Sequence, residues 1–295
     1  MTKNVLTLVA DPHNTRPFTN IIEVVEASLS ALSVGDMTKD WLEPDKVCDL
    51  LFTGDINLST LPKDLSETDF CLQPQSHRKK KLLLADMDST IITVECIDEL
   101  ADFAGLKKEV SAITERAMQG ELDFDEAFSA RVAMLEGLAE PVLQQTFEER
   151  VKLTSGARTL IQTMKSNGAY TALVSGGFTF FTSRVRELTG FDMDDSNTLL
   201  FEDGKLTGKA ALPILNSEAK LNNLNLLIKE KGLMRSESAA IGDGANDIPM
   251  IEAAGLGVSF HAKPAAAKAA DANIRFGDLT TLLYYQGYKT ADFVF

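Results

Sequence analysis

Short runs of hydrophobic residues recur along the chain, separated by polar stretches or by segments with helical spacing. The runs that predict strands lie at residues 3–10, 46–53, 81–85, 169–174, 238–241 and 257–260, and residues 20–32 predict a helix. From residue 81 onward, short apolar runs alternate with amphipathic helices. This alternation predicts an α/β protein whose largely parallel, Rossmann-like sheet is covered by helices on both faces.

A polar stretch at residues 54–80 interrupts the pattern and predicts a domain boundary. It contains two prolines and leads into the basic run HRKKK at residues 77–81, which is more typical of a solvated linker than of a binding patch. We therefore expect a small N-terminal α/β domain at residues 1–75 and a main domain at residues 80–295.

A long helical segment separates the first two strands of the main domain. Residues 94–150 have helical spacing nearly throughout, with Gly105 and Gly120 where helices would end. The segment is too long for a connecting loop, so it predicts a helical cap placed over the sheet. Further along, Asp-Gly between alternating apolar residues predicts a hairpin at residues 197–210.

Composition narrows the classes of partner. The 295 residues carry a net charge of −14, which argues against nucleic acid or an anionic membrane as the main partner but does not forbid a small anionic ligand held in a locally basic pocket. We find no signal-peptide pattern and no apolar stretch long enough to span a bilayer. Cys48, Cys71 and Cys96 are an odd number without CxxC spacing, which is typical of reduced thiols in a cytoplasmic protein.

Polar clusters follow three of the predicted strands. In open α/β sheets, ligands bind outside the carboxyl ends of the strands, so clusters on neighbouring strands would meet in one crevice. One such cluster is often an ordinary turn, because Asp, Ser and Gly are common there. Three at the same structural position predict a site; they are DMDST (86–90), SGG (175–177) and GDGAND (242–247).

The residue types in these clusters suit a phosphate and a divalent cation. Asp86 and Asp88 are like charges close together, a pairing that a cation would stabilise. Asp86 and Asp243 offer hard oxygen ligands of the kind that Mg²⁺ prefers. Ser175 and the following glycine N–H groups can bind an anion, and Lys220 could supply the positive charge that phosphoryl transfer requires.

The order of these motifs resembles a known superfamily. DxDxT, then Ser-Gly, then a lysine, then GDGxND is similar to the haloacid-dehalogenase (HAD) superfamily, over about residues 80–290. Within it, the stretches DMDSTIITVECIDELA, AMQGELDFDEAFSARV, SGGFTFF, LTGKA and GDGANDIPMIEAAGLGV resemble the phosphoserine phosphatases. The resemblance implies a HAD core with a cap, and Mg²⁺-dependent hydrolysis of O-phospho-L-serine through an aspartyl-phosphate, the last step of serine biosynthesis.

The same resemblance implies roles for individual residues. Asp86 would be the nucleophile, and Asp88 the general acid and then the general base. Glu95 would bind the substrate ammonium and Arg131 its carboxylate, whereas Met118 and Phe124 fit a pocket wall and cap core equally well. The implied metal ligands are Asp86, the backbone carbonyl of Asp88 and Asp243, with Asp247 just outside them; the implied phosphoryl-binding residues are Ser175, Gly176, Lys220 and Asn246.

Several alternatives stay open at this point. The N-terminal domain loosely resembles small ACT-type ligand-binding domains, but a degenerate module used for packing, or for dimerisation in a homodimer, fits as well. A HAD phosphatase or phosphotransferase with another small phosphorylated substrate would share the main motifs. A receiver-like phospho-accepting module is a third hypothesis, against which Asp88 argues, because an acid and base beside the nucleophile shortens the life of a phospho-aspartate.

Overall fold

A computed structural model describes residues 2–13, 16–57, 60–62, 65, 67–119 and 121–295. Its strands are β1 (Lys3–Ala10), β2 (Gly35–Glu43), β3 (Val47–Thr53), β4 (Thr68–Pro74), β5 (Leu82–Ala85), β6 (Tyr170–Phe178), β7 (Met193–Asn197), β8 (Leu199–Glu202), β9 (Lys205–Ala210), β10 (Ser238–Gly242), β11 (Gly257–Phe260) and β12 (Ala272–Ile274). Its helices are α1 (Phe18–Ala31), α2 (Cys96–Phe103), α3 (Lys107–Met118), α4 (Phe124–Ala133), α5 (Pro141–Arg150), α6 (Ala157–Ser166), α7 (Thr179–Thr189), α8 (Ser217–Glu230), α9 (Ile248–Ala253), α10 (Pro264–Ala269) and α11 (Thr281–Tyr285).

One sheet of ten strands runs through the described residues, in the order β2-β3-β1-β4-β12-β11-β10-β5-β6-β7. The strands from β12 to β7 pair in parallel, whereas β2, β3, β1 and β4 pair antiparallel. The parallel half confirms the predicted α/β fold. Its central strand β5 is buried along its whole length, because helices cover both faces, which explains why it appears in the sequence as an uninterrupted apolar run.

The cap and the hairpin lie where the sequence placed helices and a turn. Helices α2 to α5 occupy residues 96–150. Gly105 follows α2 with a positive φ of 70°, whereas Gly120 lies outside the described residues. In the β8–β9 hairpin, Asp203 and Gly204 both have positive φ, as a two-residue turn with right-handed strand twist requires.

The N-terminal strands continue the main sheet through β4, which pairs antiparallel with β12. The face of these strands that carries α1 has its own hydrophobic core, which includes Leu6, Leu8 and Val25. The opposite face contributes Val9 and Val47 to the core of the main domain. The predicted boundary at residues 75–80 therefore lies at the end of a shared sheet strand.

The prediction that the HRKKK run is a solvated linker is wrong for Arg78 and Lys80, although the other three residues of the run are exposed. Arg78 forms a bidentate pair with Asp49 of β3, with N–O distances of 2.6 and 2.8 Å, and its Nε donates to the carbonyl of Tyr285 at 2.9 Å. Lys80 is buried, and its Nζ donates to the carbonyl of Ser236 at 2.9 Å. Arg78 thus ties the N-terminal strands to the main domain. None of the described helices has the length and hydrophobicity needed to cross a membrane.

Candidate active site

The three polar clusters of the sequence meet at one edge of the sheet. Strands β10, β5 and β6 are parallel neighbours in that order, so their carboxyl ends lie side by side. The amide of Asp86 donates to the carbonyl of Ile241 at 3.0 Å, which continues the β5–β10 pairing up to the first aspartate. Pairing between β6 and β7 is interrupted between Val174 and Phe178, where the Ser-Gly-Gly segment turns toward the site.

The backbone turns sharply after the first aspartate. Ser89 has a φ of +54°, and its hydroxyl donates to Glu95 at 2.5 Å. Asp88 is held from two sides: Oδ1 accepts from the amide of Cys96 at 2.8 Å and Oδ2 accepts from the Ser175 hydroxyl at 3.2 Å. The second aspartate is therefore fixed by the start of the cap and by the end of β6 together.

Lys220 lies between two of the aspartates. Its Nζ is 2.5 Å from Oδ1 of Asp86 and 2.6 Å from Oδ1 of Asp247, and the lysine is fully buried. Burial would lower the pKa of Lys220, but the attraction of the two carboxylates outweighs it and raises the pKa. The lysine is therefore cationic, and α8 positions its charge at the first aspartate.

Three carboxylates form a compact group that could hold a metal ion. Asp86, Asp243 and Asp247 each bring an oxygen within 4.8 Å of the others, and all three are buried. Asp243 also accepts from the Thr90 hydroxyl at 3.2 Å. Burial, the repulsion from Asp247 and the other acidic groups raise the pKa values of Asp86 and Asp243, against the opposing effect of Lys220. Such a site favours a cation.

Two glycines allow the carboxylates to approach the backbone. A Cβ on Gly177 would lie 2.6 Å from Oδ2 of Asp88, and one on Gly242 would lie 2.4 Å from the carboxyl carbon of Asp247. The absence of a side chain at Gly242 lets the carboxylate of Asp247 lie against the backbone, where its Oδ2 accepts from the amides of Asp243 and Gly244 at 3.1 Å each. Any larger residue at either glycine would push a carboxylate out of the site.

The cap closes a pocket over these groups. Glu95 and Arg131 face the same cavity as Asp86, so the structure brings together the residues that the resemblance assigned to chemistry and to substrate recognition. Met118 and Phe124 also line it, which favours a pocket wall over cap core for both. The full lining is Asp86, Asp88, Glu95, Ile97, Met118, Phe124, Phe128, Arg131, Ser175, Gly176, Gly177, Phe178 and Asn246.

Arg131 is a buried cation without an acidic partner in the part of the chain that the structure describes. The residue is 7% exposed, and no carboxylate oxygen among the described residues lies within 4.0 Å of its guanidinium nitrogens. Its Nε donates to the carbonyl of Ala127 at 3.1 Å and its Nη1 to the hydroxyl of Thr114 at 3.1 Å. Burial lowers the pKa of Arg131, whereas the more distant Glu95 and Asp98 act in the opposite direction. An unpaired buried charge is costly, so this arrangement points to an anionic ligand.

Some residues of the site were missed from the sequence. Thr90 belongs to the DxDxT motif, which is the signal that could have found it. Ile97 and Phe128 looked like ordinary apolar positions on cap helices. Asp98 and Thr114 lie behind Arg131 on other cap helices, and no sequence motif links them to it.

Comparisons with known proteins identify relatives of this chain. A family model described as haloacid dehalogenase-like hydrolase matches residues 83–252. A phosphoserine phosphatase of Haemophilus influenzae is 44% identical over 232 residues, which are 79% of this chain and 71% of that one. A solved HAD family hydrolase of Salmonella enterica serovar Typhi covers 97% of this chain and 98% of its own, with a TM-score of 0.81 and 29% identity.

A second solved structure is a phospho-aspartyl intermediate analogue of phosphoserine phosphatase, with a TM-score of 0.68 and 40% identity. It covers 70% of this chain and 99% of that chain. The chain belongs to the haloacid dehalogenase-like hydrolases, and among them to the phosphoserine phosphatase family.

Proposed function

We propose that this chain hydrolyses O-phospho-L-serine to L-serine and phosphate through an aspartyl-phosphate on Asp86, as the last step of serine biosynthesis. The observation that carries the substrate is the pocket itself. The guanidinium of Arg131 and the carboxyl group of Glu95 face the same cavity as the nucleophile. This guanidinium is buried and has no acidic partner among the described residues. A zwitterionic amino acid phosphate supplies the complementary carboxylate, ammonium and phosphoryl group.

In the first step, a carboxylate oxygen of Asp86 attacks phosphorus, the Asp–phosphate bond forms and the bond from phosphorus to the seryl oxygen breaks. Asp88 gives its proton to the departing seryl oxygen. Burial raises the pKa of Asp88 against the hydrogen bonds from Cys96 and Ser175, which favours the protonated form that this step needs. In the second step, Asp88 takes a proton from water as the water attacks phosphorus and releases Asp86.

The phosphoryl group would be held by Ser175, Gly176, Lys220 and Asn246. Lys220 already contacts Asp86 through Nζ, so it can follow the charge that moves onto the phosphoryl oxygens. The side-chain oxygen of Asn246, an acceptor, is buried without a hydrogen-bond partner among the described residues. The Nδ2 group of Asn246 is the donor that would hold a phosphoryl oxygen.

We propose Mg²⁺ as the cofactor, held by Asp86, the backbone carbonyl of Asp88 and Asp243. The fit rests on the buried carboxylate group and on its raised pKa values, since a cation would remove the repulsion between the acids. When bound, Mg²⁺ would neutralise charge on the transferring phosphoryl group. Both oxygens of Asp247 already accept hydrogen bonds, from Lys220 and from backbone amides, which supports its place just outside the metal ligands.

A phosphate-release screen tests the proposed function. Purified protein is offered phosphoserine, phosphothreonine, O-phosphoethanolamine and small sugar phosphates, with Mg²⁺ and after chelation. We expect the highest kcat/KM for phosphoserine and loss of activity without the metal. Higher kcat/KM for a sugar phosphate would reject the substrate assignment, and undiminished activity after chelation would reject the cofactor.

Two further parts of the proposal concern the protein in the cell. We propose a cytoplasmic location, which the three free cysteines support. A homodimer stays a prediction that sedimentation of the purified chain would test.

A further inference from the structure

We propose that Thr114, held by Asp98, positions the guanidinium of Arg131 and thereby sets the preference of the site for a substrate that carries a carboxylate. This inference rests on the function proposed above and concerns residues to which that function assigns no role. All three side chains are buried in the cap, on α2, α3 and α4.

The Thr114 hydroxyl connects an acid to a cation. Its oxygen lies 2.7 Å from Oδ1 of Asp98 and 3.1 Å from Nη1 of Arg131. The Thr114 hydroxyl has one proton and two possible acceptors, the carboxylate of Asp98 and the carbonyl of Val110 at 3.1 Å. The carboxylate is the stronger acceptor, because it is charged and closer. With the proton directed at Asp98, the lone pairs of the oxygen face Arg131, which can only donate.

The acid itself has little freedom. Oδ2 of Asp98 accepts from the hydroxyl of Ser111 at 2.6 Å, so both of its oxygens are engaged by α3. The chain of contacts therefore has one direction, in which Asp98 orients Thr114 and Thr114 orients Arg131. Since the members are buried, each hydrogen bond acts in a low dielectric and restrains the next.

An indirect contact has a chemical advantage over a direct ion pair. A carboxylate on the guanidinium would occupy two donors and compensate the charge, and a substrate carboxylate would then compete with it. A neutral hydroxyl occupies one donor and leaves the charge uncompensated. Nε is held by the carbonyl of Ala127 and Nη1 by Thr114, while Nη2 has no hydrogen bond to the described residues. The guanidinium is oriented and still available.

Substitution of Thr114 tests this role, with phosphoserine compared to O-phosphoethanolamine, which keeps the ammonium and the phosphate but lacks the carboxylate. Thr114→Val should raise KM for phosphoserine about tenfold with a much smaller change in kcat, and should lower the phosphoserine-to-phosphoethanolamine ratio of kcat/KM by about the same factor. Thr114→Ser, which retains the hydroxyl, should restore most of the ratio.

Thr146→Val is the matched control. Thr146 is also buried on a cap helix, and its hydroxyl bonds to the carbonyl of Val142 at 2.8 Å, four residues back, as that of Thr114 can. A merely structural role would make the two valine variants alike, with equal losses on both substrates, and that result would overturn the proposal. If Thr114→Val fails to fold, Asp98→Asn replaces it, and an unchanged ratio in that variant overturns the proposal as well.

The two proposals fail in different ways. A wild-type protein that does not prefer phosphoserine to O-phosphoethanolamine rejects the proposed substrate. A wild-type protein that has this preference, together with a Thr114→Val variant that keeps it, rejects only the positioning role of Thr114.

Discussion

Replacing Arg131 by methionine should make the protein less active on phosphoserine without making it less stable. The guanidinium would form charge-assisted hydrogen bonds with the substrate carboxylate inside a closed pocket, and loss of one partner of such a pair costs about 3–5 kcal/mol. At 1.4 kcal/mol for each factor of ten, kcat/KM for phosphoserine should fall by roughly two to three and a half orders of magnitude. O-phosphoethanolamine has no carboxylate, so its kcat/KM should change by less than about fivefold.

The second half of this prediction concerns the free energy of unfolding of the Arg131→Met variant. Methionine removes the hydrogen bonds from the charged guanidinium to Ala127 and Thr114, which contribute about 1.5–3 kcal/mol each. It also removes a buried charge that has no acidic partner within 4.0 Å among the described residues, and the desolvation of such a charge costs several kcal/mol. Because the two effects offset each other, we expect a free energy of unfolding close to that of the wild type, measured by urea denaturation.

Arg150→Met is the control, because Arg150 lies on a cap helix but is partly exposed and contacts Glu99 and Asp102 at 4.0 and 3.5 Å. It should leave the substrate preference unchanged. If Arg131→Met lost more than about 2 kcal/mol of stability and both substrates suffered equally, Arg131 would be a structural residue and the reasoning from its missing partner would be refuted.

Three further outcomes test the catalytic carboxylates. Asp86→Asn should abolish turnover while the circular dichroism spectrum stays that of the wild type; appreciable residual phosphoserine hydrolysis would contradict its role as nucleophile. Lys220→Met should lower the free energy of unfolding in metal-free buffer by about 3–5 kcal/mol, because it leaves Asp86 and Asp247 without their cation, and a urea titration showing no loss would contradict the ion pairs. Burial and Asp247 raise the pKa of Asp86 from 3.8 to about 7, so the folded metal-free protein binds more protons than the unfolded chain between these values. Its melting temperature in chelator should therefore fall as the pH rises from about 4 to about 7, and added Mg²⁺ should reverse the fall; a melting temperature that rises over this interval would contradict the raised pKa.

The parts of the fold that follow from local pattern were predicted well. The strands at residues 3–10 and 257–260 have the predicted bounds, and the main sheet, the cap helices and the Asp-Gly hairpin lie where their patterns placed them. The motif residues could also be predicted, because each motif is a short run of adjacent polar residues and glycines that directly follows a predicted strand.

One strand that was missed, β2, is largely exposed and pairs with the next strand, β3. The burial of the other three, β4, β7 and β12, depends on distant parts of the chain. β7 has the sequence MDDSN and β12 only ANI, and neither shows an apolar alternation. β4 contains Asp69, a fully buried acid whose carboxylate accepts from the amides of Arg275, Phe276 and Gly277. Its partners lie about two hundred residues away in sequence, so no local window could identify it as part of a strand.

The basic run at residues 77–81 failed as a linker prediction for the same reason. A run of lysine and arginine is usually solvated, but here Asp49, itself buried in β3, needs a cation, and Arg78 provides one at 2.6 Å. A charge that looks exposed in sequence can be buried when an opposite charge elsewhere is buried with it.

The charges of the active site also indicate that buried charges need opposite charges beside them. Lys220 faces Asp86 and Asp247, while Asp88 and Asp243 have only neutral hydrogen-bond donors among the described residues. Buried acids outnumber the buried cation at the point where phosphorus must be attacked. A second cation lowers the energy of the free site and of a phosphorylated Asp86 alike, because it reduces repulsion in both. The crowding of acids at the end of β5 therefore supports the cation site proposed above.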